Sequence, residues 1–194
     1  MDEHYATLTD MMALLLHDAV RSAEELHSHE AGEDGPFRAR MHVRAVFSAI
    51  EGACECLRQQ AFVAEVNKIP HEISPGKLSV LAGETYFVTD EGEIRVQNLR
   101  IRFLAHMLLS LNSYAEAQGV NYSAEKGDQW HRIRAALDVR HRITHPKNLT
   151  SLHITKDEIK DIHFALAWFL NELASILREK GCELPPFPQS ELDL

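Results

Sequence analysis

Cysteine is scarce in this chain of 194 residues, which contains three, and no apolar run is long enough to span a bilayer. Cys54 and Cys56 are two positions apart on a predicted helix, so their side chains point to opposite sides and cannot share a metal ion. With Cys182 they make an odd and sparse set, which is typical of a reducing compartment. The acidic N-terminus has no signal-peptide pattern, so we expect a cytoplasmic protein without a membrane anchor.

The motifs of several common enzyme classes are also missing. The sequence has no glycine-rich phosphate loop, no serine or cysteine nucleophile motif and no CxxC pair, and we expect no cofactor. The chain also has no excess of positive charge. It contains 20 Lys and Arg and 29 Asp and Glu, so its formal charge is −9. Such a surface repels nucleic acid as a whole, so RNA binding requires a local patch of the opposite sign.

The hydrophobic pattern is helical over most of the chain and predicts an all-α protein. We expect an antiparallel bundle of about five helices in a single domain that spans residues 1–194. The first two helices are joined by a short polar loop and should pack antiparallel. The predicted helices cover residues 9–28, 37–66, 99–118, 128–144 with Asp128 as the N-cap, and from the capping box of Thr155 and Glu158 to Gly181.

The segment 67–98 interrupts this pattern and is expected to be an insertion in the bundle. Its prolines and glycines exclude a long helix. Two β-prone runs, 85–89 and 93–97, flank a turn at 90–92 and predict a small β-hairpin. A hairpin of two strands is marginal in water by itself, so it should lean on the helices or on a partner.

The fourth predicted helix is unusual because Arg140 falls on its apolar stripe. Arg140 comes seven residues after Ile133, which places the two side chains within about 20° of each other. A guanidinium at that place is costly unless it is paired or enclosed by an interface. His145 precedes Pro146, which favours a helix end near Thr144, so the imidazole can turn back toward Arg140.

Residue chemistry gives this helix end two alternative roles. In the first, Arg140 binds a scissile phosphate and His145 transfers a proton, a chemistry that cleaves RNA without a metal ion. In the second, Arg140 pairs with a buried carboxylate such as Glu51, and His145 only caps the helix. His141 and His145 have a zinc-binding spacing, but the cation Arg142 between them argues against a metal, and we expect none.

The same stretch concentrates positive charge. Residues 130–147 contain five Lys and Arg against one Asp, a local charge of 5 − 1 = +4, together with three histidines. Such a patch can hold a phosphate backbone, or it can be an ordinary solvated helix face. The residues expected to bind phosphate or to support the site are His141, Arg142, Lys147, Arg134 and Glu51, with His42 and Arg44 extending the surface.

The sequence Arg140-x4-His145, followed by Pro146-Lys147, resembles the motif of the HEPN superfamily, and the helical frame extends the resemblance over most of the chain. Many members carry Asn or Asp directly after the Arg, where this chain has His141. HEPN domains are all-α bundles that commonly dimerise. Many are metal-independent ribonucleases of toxin–antitoxin and antiviral systems, and others only bind RNA.

The resemblance implies a metal-independent endoribonuclease that acts as a toxin or in phage defence, with Arg140 and His145 as the catalytic residues. It also implies a homodimer through the motif helix, RNA as the substrate, and neutralisation by a partner such as a minimal nucleotidyltransferase. A non-catalytic HEPN module that binds RNA, nucleotide or protein is the first alternative. The second is a helical scaffold without a nucleic-acid role, which the charge of −9 favours.

Overall fold

The computed structural model describes residues 2–28, 34–68, 74–124 and 126–181, without the side chains of residues 2–9 and 28. Within these ranges the protein has six α-helices, a short 3₁₀ turn and one antiparallel sheet of two strands, which confirms the predicted all-α class with a small hairpin. The elements are α1 (Asp2–Ser28), α2 (Gly35–Val66), α3 (Pro75–Ala82), β1 (Glu84–Val88), β2 (Ile94–Asn98), α4 (Phe103–Ala117), α5 (Trp130–Thr144), the 3₁₀ turn (Leu149–Leu152) and α6 (Lys156–Glu179).

The chain divides into two compact units. Unit 1 is Met1–Ala53 with Glu125–Leu194, and it contains α1, the first part of α2, α5 and α6. Unit 2 is Cys54–Ala124, with the end of α2, α3, the hairpin and α4. The single domain expected from the sequence stays a prediction.

In unit 1, α1 and α2 run antiparallel, as the sequence predicts. Leu15 lies against Gly52 and Ser22 against His42, so the residue number rises along α1 while it falls along α2. Gly52 allows this close approach, because a Cβ at that position would collide with Cδ1 of Leu15. The loop predicted between the two helices lies largely outside the described residues.

α5 and α6 form a second antiparallel pair in unit 1. Trp130 at the start of α5 packs edge-on against Trp168, with ring centroids 5.2 Å apart, and Arg142 near the end of α5 pairs with Glu158 in the first turn of α6. Thr155 and Glu158 form the capping box predicted from the sequence, each side chain bonding the backbone N–H of the other. Both ends of α5 are thereby fixed against α6.

α2 buries one continuous apolar stripe along its length. Cys54 lies on that stripe, and Cys56 is buried on another side of the helix. Burial raises the pKa of the Cys56 thiol, which favours its protonated and unreactive form. Cys182 lies outside the described residues. The buried stripe is Val43, Val46, Phe47, Ile50, Cys54, Leu57 and Ala61.

The sequence pattern does not predict α3, which brings the number of α-helices in the described ranges to six. α3 begins at Pro75 after the N-cap Ser74, whose hydroxyl accepts from the N–H of Lys77, and it ends at Gly83 with a φ of 74°. A proline fits the first turn of a helix and a glycine fits a left-handed C-cap. The residues interpreted as helix breakers are therefore the start and the stop of a short helix.

Some helix starts also differ from the prediction, and α1 begins at Asp2 and not near residue 9. α4 begins at Phe103 and not at Leu99, because the N–H of Leu99 donates to the carbonyl of Gly83 and prolongs the hairpin ladder. α5 begins at Trp130, and the predicted N-cap Asp128 does not cap it. The burial of Trp130 against α6 sets that start instead.

Candidate functional site

Arg140 lies where α5 faces α2, and Glu51 meets its charge there. Nη2 of Arg140 donates to Oε1 of Glu51 over 2.6 Å, and the guanidinium carbon lies 5.8 Å from the centroid of the Phe47 ring. Phe47 and Glu51 are one turn apart on α2, so one face of that helix supplies both contacts. The Arg140 side chain keeps 28% of its surface exposed. The guanidinium is thus held in one place and remains partly open to solvent.

His145 follows the last residue of α5, and the structure confirms the predicted helix end at Thr144. The N–H of His145 donates to the carbonyl of His141 over 2.9 Å, while a φ of −125° and a ψ of 64° take the chain out of the helix. The hydroxyl of Thr144 donates to the carbonyl of Arg140, one turn earlier in the helix, over 2.7 Å. The imidazole of His145 is exposed, and no described residue hydrogen-bonds it.

Arg142, predicted to bind or support RNA, is bound by the protein itself. Nη2 donates to Oε1 of Glu158 over 2.6 Å. Nη1 donates to the carbonyl of His153 over 2.6 Å and, more weakly, to that of Ser151 over 3.3 Å. These bonds fasten the segment with the 3₁₀ turn to the start of α6. The geometry therefore gives Arg142 a structural role.

Three of the five Lys and Arg in residues 130–147 are paired with carboxylates on α2 and α6. Their three negative charges lower the local charge from +4 to 4 − 3 = +1. Arg134, His141 and Lys147 are exposed. Arg134 and His141 are seven residues apart, so they point to the same solvent side of α5 within about 20°. The pairs, with their N–O distances, are Arg132–Asp161 (2.7 Å), Arg140–Glu51 (2.6 Å) and Arg142–Glu158 (2.6 Å).

His42, expected on an RNA-facing surface, is buried, and that prediction was wrong. His42 is 1% exposed, because it comes four positions before Val46 and shares the inward face of α2. Nδ1 of His42 lies 2.9 Å from Oγ of Ser22, and Nε2 lies 2.8 Å from Nε2 of His163. Arg44, which belongs to the same prediction, is exposed.

The hydrogen bonds through His42 run in one direction. The hydroxyl of Ser22 donates to the carbonyl of Ala19 over 2.7 Å, so it accepts from Nδ1–H of His42. A neutral His42 then accepts at Nε2, and Nε2–H of His163 donates to it. Burial, reinforced by the charges of His163 and His27, lowers the pKa of His42 to about 3. The result is a neutral link between α1, α2 and α6.

Unit 2 contains a buried carboxylate that the sequence pattern did not predict. Glu65 is 2% exposed, and it accepts from Nζ of Lys68 over 2.8 Å and from the backbone N–H of Ser74 over 3.2 Å. Nζ of Lys77 lies 3.2 Å from the same carboxylate. The bond from Lys68 is the largest cause that lowers the pKa of Glu65 to about 2. The burial of Glu65 could have been predicted from its position in the sequence. It comes four residues after Ala61 and therefore lies on the buried stripe of α2.

Within the described residues there is no cluster of three or more His, Cys, Asp or Glu that could hold a metal ion. None of the helices in those ranges is both long and apolar enough to cross a membrane. Comparison with protein-family models, with curated proteins and with solved structures finds no match to this chain.

Proposed function

We propose that this protein is a metal-independent endoribonuclease of HEPN type, with Arg140 and His145 as its catalytic residues. The observation that carries the proposal is the end of α5, where Glu51 holds a guanidinium and an exposed imidazole has no partner among the described residues. Arginine stays charged and binds phosphate oxygens, and histidine exchanges a proton near neutral pH. The resemblance of Arg140-x4-His145 to the family motif supplies the substrate class.

The proposed reaction needs no metal ion. One neutral imidazole takes the proton of the 2′-OH, and the 2′-oxygen attacks the phosphorus. The P–O5′ bond breaks, and a second, protonated imidazole gives its proton to the leaving 5′-oxygen. The guanidinium of Arg140 stabilises the negative charge that develops on the phosphate oxygens. The products are a 2′,3′-cyclic phosphate and a 5′-hydroxyl.

A homodimer through α5 belongs to this proposal, because the reaction needs two imidazoles and each motif supplies one at His145. Its support is this chemistry and the resemblance. Burying the cation Arg140 on the apolar stripe would favour a dimer interface that encloses it. Glu51 of the same chain already pairs with Arg140, so this argument for an interface no longer applies. A cytoplasmic role as a toxin or in phage defence, neutralised by a partner such as a minimal nucleotidyltransferase, follows from the resemblance alone.

A cleavage assay on total RNA with EDTA present tests the proposal. The wild-type protein should cut RNA and leave 2′,3′-cyclic phosphate ends. His145→Ala and Arg140→Ala should each slow cleavage by about 10²–10⁴-fold, the usual cost of losing a proton-transfer or charge-stabilising group. His131→Ala is a matched control, because this histidine is exposed on the same helix and lies outside the predicted site, and it should retain most of the rate.

Folding is checked in parallel by circular-dichroism melts. The exposed His145 side chain has few core contacts, so its loss should change the free energy of unfolding by less than about 1 kcal/mol. Equal cleavage by the wild-type protein and His145→Ala contradicts the catalytic assignment. Cleavage that disappears with EDTA and returns with magnesium or zinc contradicts a metal-independent reaction.

The alternative is a non-catalytic HEPN module. One observation favours a module that binds protein or nucleotide over one that binds RNA. The ion pairs around the motif leave a local charge of +1, which attracts a phosphate backbone much less than +4. A wild-type protein that never cleaves RNA supports this alternative. Binding of single-stranded RNA, measured by fluorescence anisotropy over a range of salt, then distinguishes an RNA-binding module from one that binds protein or nucleotide.

A further inference from the structure

One face of the hairpin presents four large apolar side chains to solvent. Tyr86 lies opposite Val96 and Val88 lies opposite Ile94, so all four share one face of the sheet. Their exposed fractions range from 52% at Tyr86 to 75% at Ile94. Single exposed apolar residues are ordinary, but a continuous apolar face on a two-stranded sheet is not, because such a sheet is marginal in water by itself.

The outer edge of β2 is open. α3 contacts β1, and β1 begins with two half-buried residues, whereas all five residues of β2 are exposed. The N–H of Thr89 donates to the carbonyl of Glu93, and the N–H of Leu99 donates to that of Gly83. Backbone groups alternate along an antiparallel ladder, so the odd-numbered residues of β2 bond to β1. The N–H and C=O groups of the even-numbered residues 94, 96 and 98 therefore point outward.

We propose that this edge pairs with the same edge of a second copy of the chain, antiparallel and about a two-fold axis at Val96. Because only even-numbered residues point outward, a symmetric pairing must join even positions to even positions. With Val96 opposite its own copy, Ile94 lies opposite Asn98 of the second chain, and about six backbone hydrogen bonds form. The inference is independent of the ribonuclease proposal.

Charge favours this occupant over an unrelated strand. Acidic residues Asp90 and Glu91 lie at the turn before β2, and the cations Arg100 and Arg102 follow it, all of them exposed. Antiparallel pairing about Val96 brings the acidic turn of each chain beside the cations of the other. A parallel arrangement would instead place like charges together, which is destabilising. The edge is thus complementary to itself.

The pairing also extends the apolar face. Two hairpins joined along β2 form a four-stranded antiparallel sheet whose one face carries eight large apolar side chains. A sheet of three or more strands with such a face can be stable where a hairpin alone is not. Edge strands left open are ready templates for association, and β2 lacks the proline or lysine that usually protects them.

Cysteine crosslinking of the full chain tests the register. In a Cys182→Ser background, Val96→Cys should give a disulfide-linked dimer under mild oxidation. The two Cα atoms at position 96 would be about 5.5 Å apart, a distance that a disulfide spans. Arg95→Cys is the control, because position 95 would face Gln97 of the second chain and lie about 8 Å from its own copy. Equal crosslinking at positions 95 and 96 overturns the proposed register.

Sedimentation velocity tests the association itself. Val96→Lys places a charge at the centre of the pairing and should halve the assembly mass, with a dissociation constant raised about tenfold or more. Thr85→Lys adds the same charge on β1, away from the pairing edge, and should sediment like the wild-type protein. A dimer through α5 would survive Val96→Lys, so a wild-type tetramer would become a dimer. A wild-type monomer, or an unchanged mass in Val96→Lys, overturns the inference.

Discussion

Replacing Glu65 with glutamine should destabilise unit 2 in a manner that depends on pH. The carboxylate is buried, and the cations that hold it, Lys68 and Lys77, also lie near the exposed Glu116. Glutamine keeps the size and one carbonyl acceptor for the N–H of Ser74 but removes the negative charge. The two lysines then lose their buried partner, while their contacts with the exposed carboxylate remain.

The magnitude follows from the pKa of Glu65, which is lowered from 4.5 to about 2. A shift of about 2.5 units at about 1.4 kcal/mol per unit corresponds to about 3 kcal/mol. Because the folded-state pKa is the lower one, this stabilisation is fully present above about pH 5 and is lost as the pH falls toward 2. By the same linkage it should fall to about 1.4 kcal/mol at pH 3.

Urea denaturation of the wild-type protein and Glu65→Gln at pH 7, 5 and 3 measures the effect. The difference in free energy of unfolding should be about 3 kcal/mol at pH 7 and less than half of that at pH 3. Glu116→Gln is the matched control, and it should cost less than about 1 kcal/mol because its side chain is 60% exposed. A difference below about 1 kcal/mol at pH 7, or one that does not shrink on acidification, refutes the reasoning.

Three further predictions concern unit 1. Glu51→Gln should reduce any RNA cleavage about tenfold, because it releases Arg140. It should change the free energy of unfolding by less than about 1 kcal/mol, because the pair is partly exposed. An unchanged cleavage rate would show that Glu51 does not position Arg140. The imidazole of His42, with its lowered pKa, should remain neutral at pH 5 in nitrogen-15 NMR spectra, and its contribution to stability should be lost as the pH falls from 6.5 toward 3; titration near pH 6.5 would contradict its burial. Gly52→Val should cost about 2 kcal/mol in urea denaturation, because the added side chain displaces Leu15, whereas no loss would show that α1 can move away.

The elements that the sequence predicted well are those coded by local pattern. The stripe of α2 repeats every three or four residues, and burial follows it from Val43 to Ala61. The capping box of Thr155 and Glu158 is also a local signal, and so is the hairpin turn. α3 was missed because the same residue types stop one helix and start another. Whether Pro75 breaks or begins a helix depends on the residues that follow it.

The candidate site shows what local pattern leaves out. The pairing of Arg140 with Glu51 was one of the alternatives that the sequence left open, because Glu51 is an acid close to the apolar face of α2. The burial of His42 was missed because its partner, His163, lies 121 residues away in the sequence. Spacing along one helix says which side chains share a face. The group that a neighbouring helix brings to that face depends on tertiary packing.

The carboxylate of Glu158 joins two tasks that are usually separate. One oxygen accepts the N–H of Thr155 and completes the cap of α6, and the other accepts from Arg142, which also holds the carbonyl of His153. Fraying of the first turn of α6 therefore releases the guanidinium, and with it the segment that follows His145. We expect local opening at these two places to be one cooperative event, with a shared rate of amide hydrogen exchange. The cap of α6 thus helps to hold the segment that follows the exposed imidazole, although it lies more than ten residues away in the sequence.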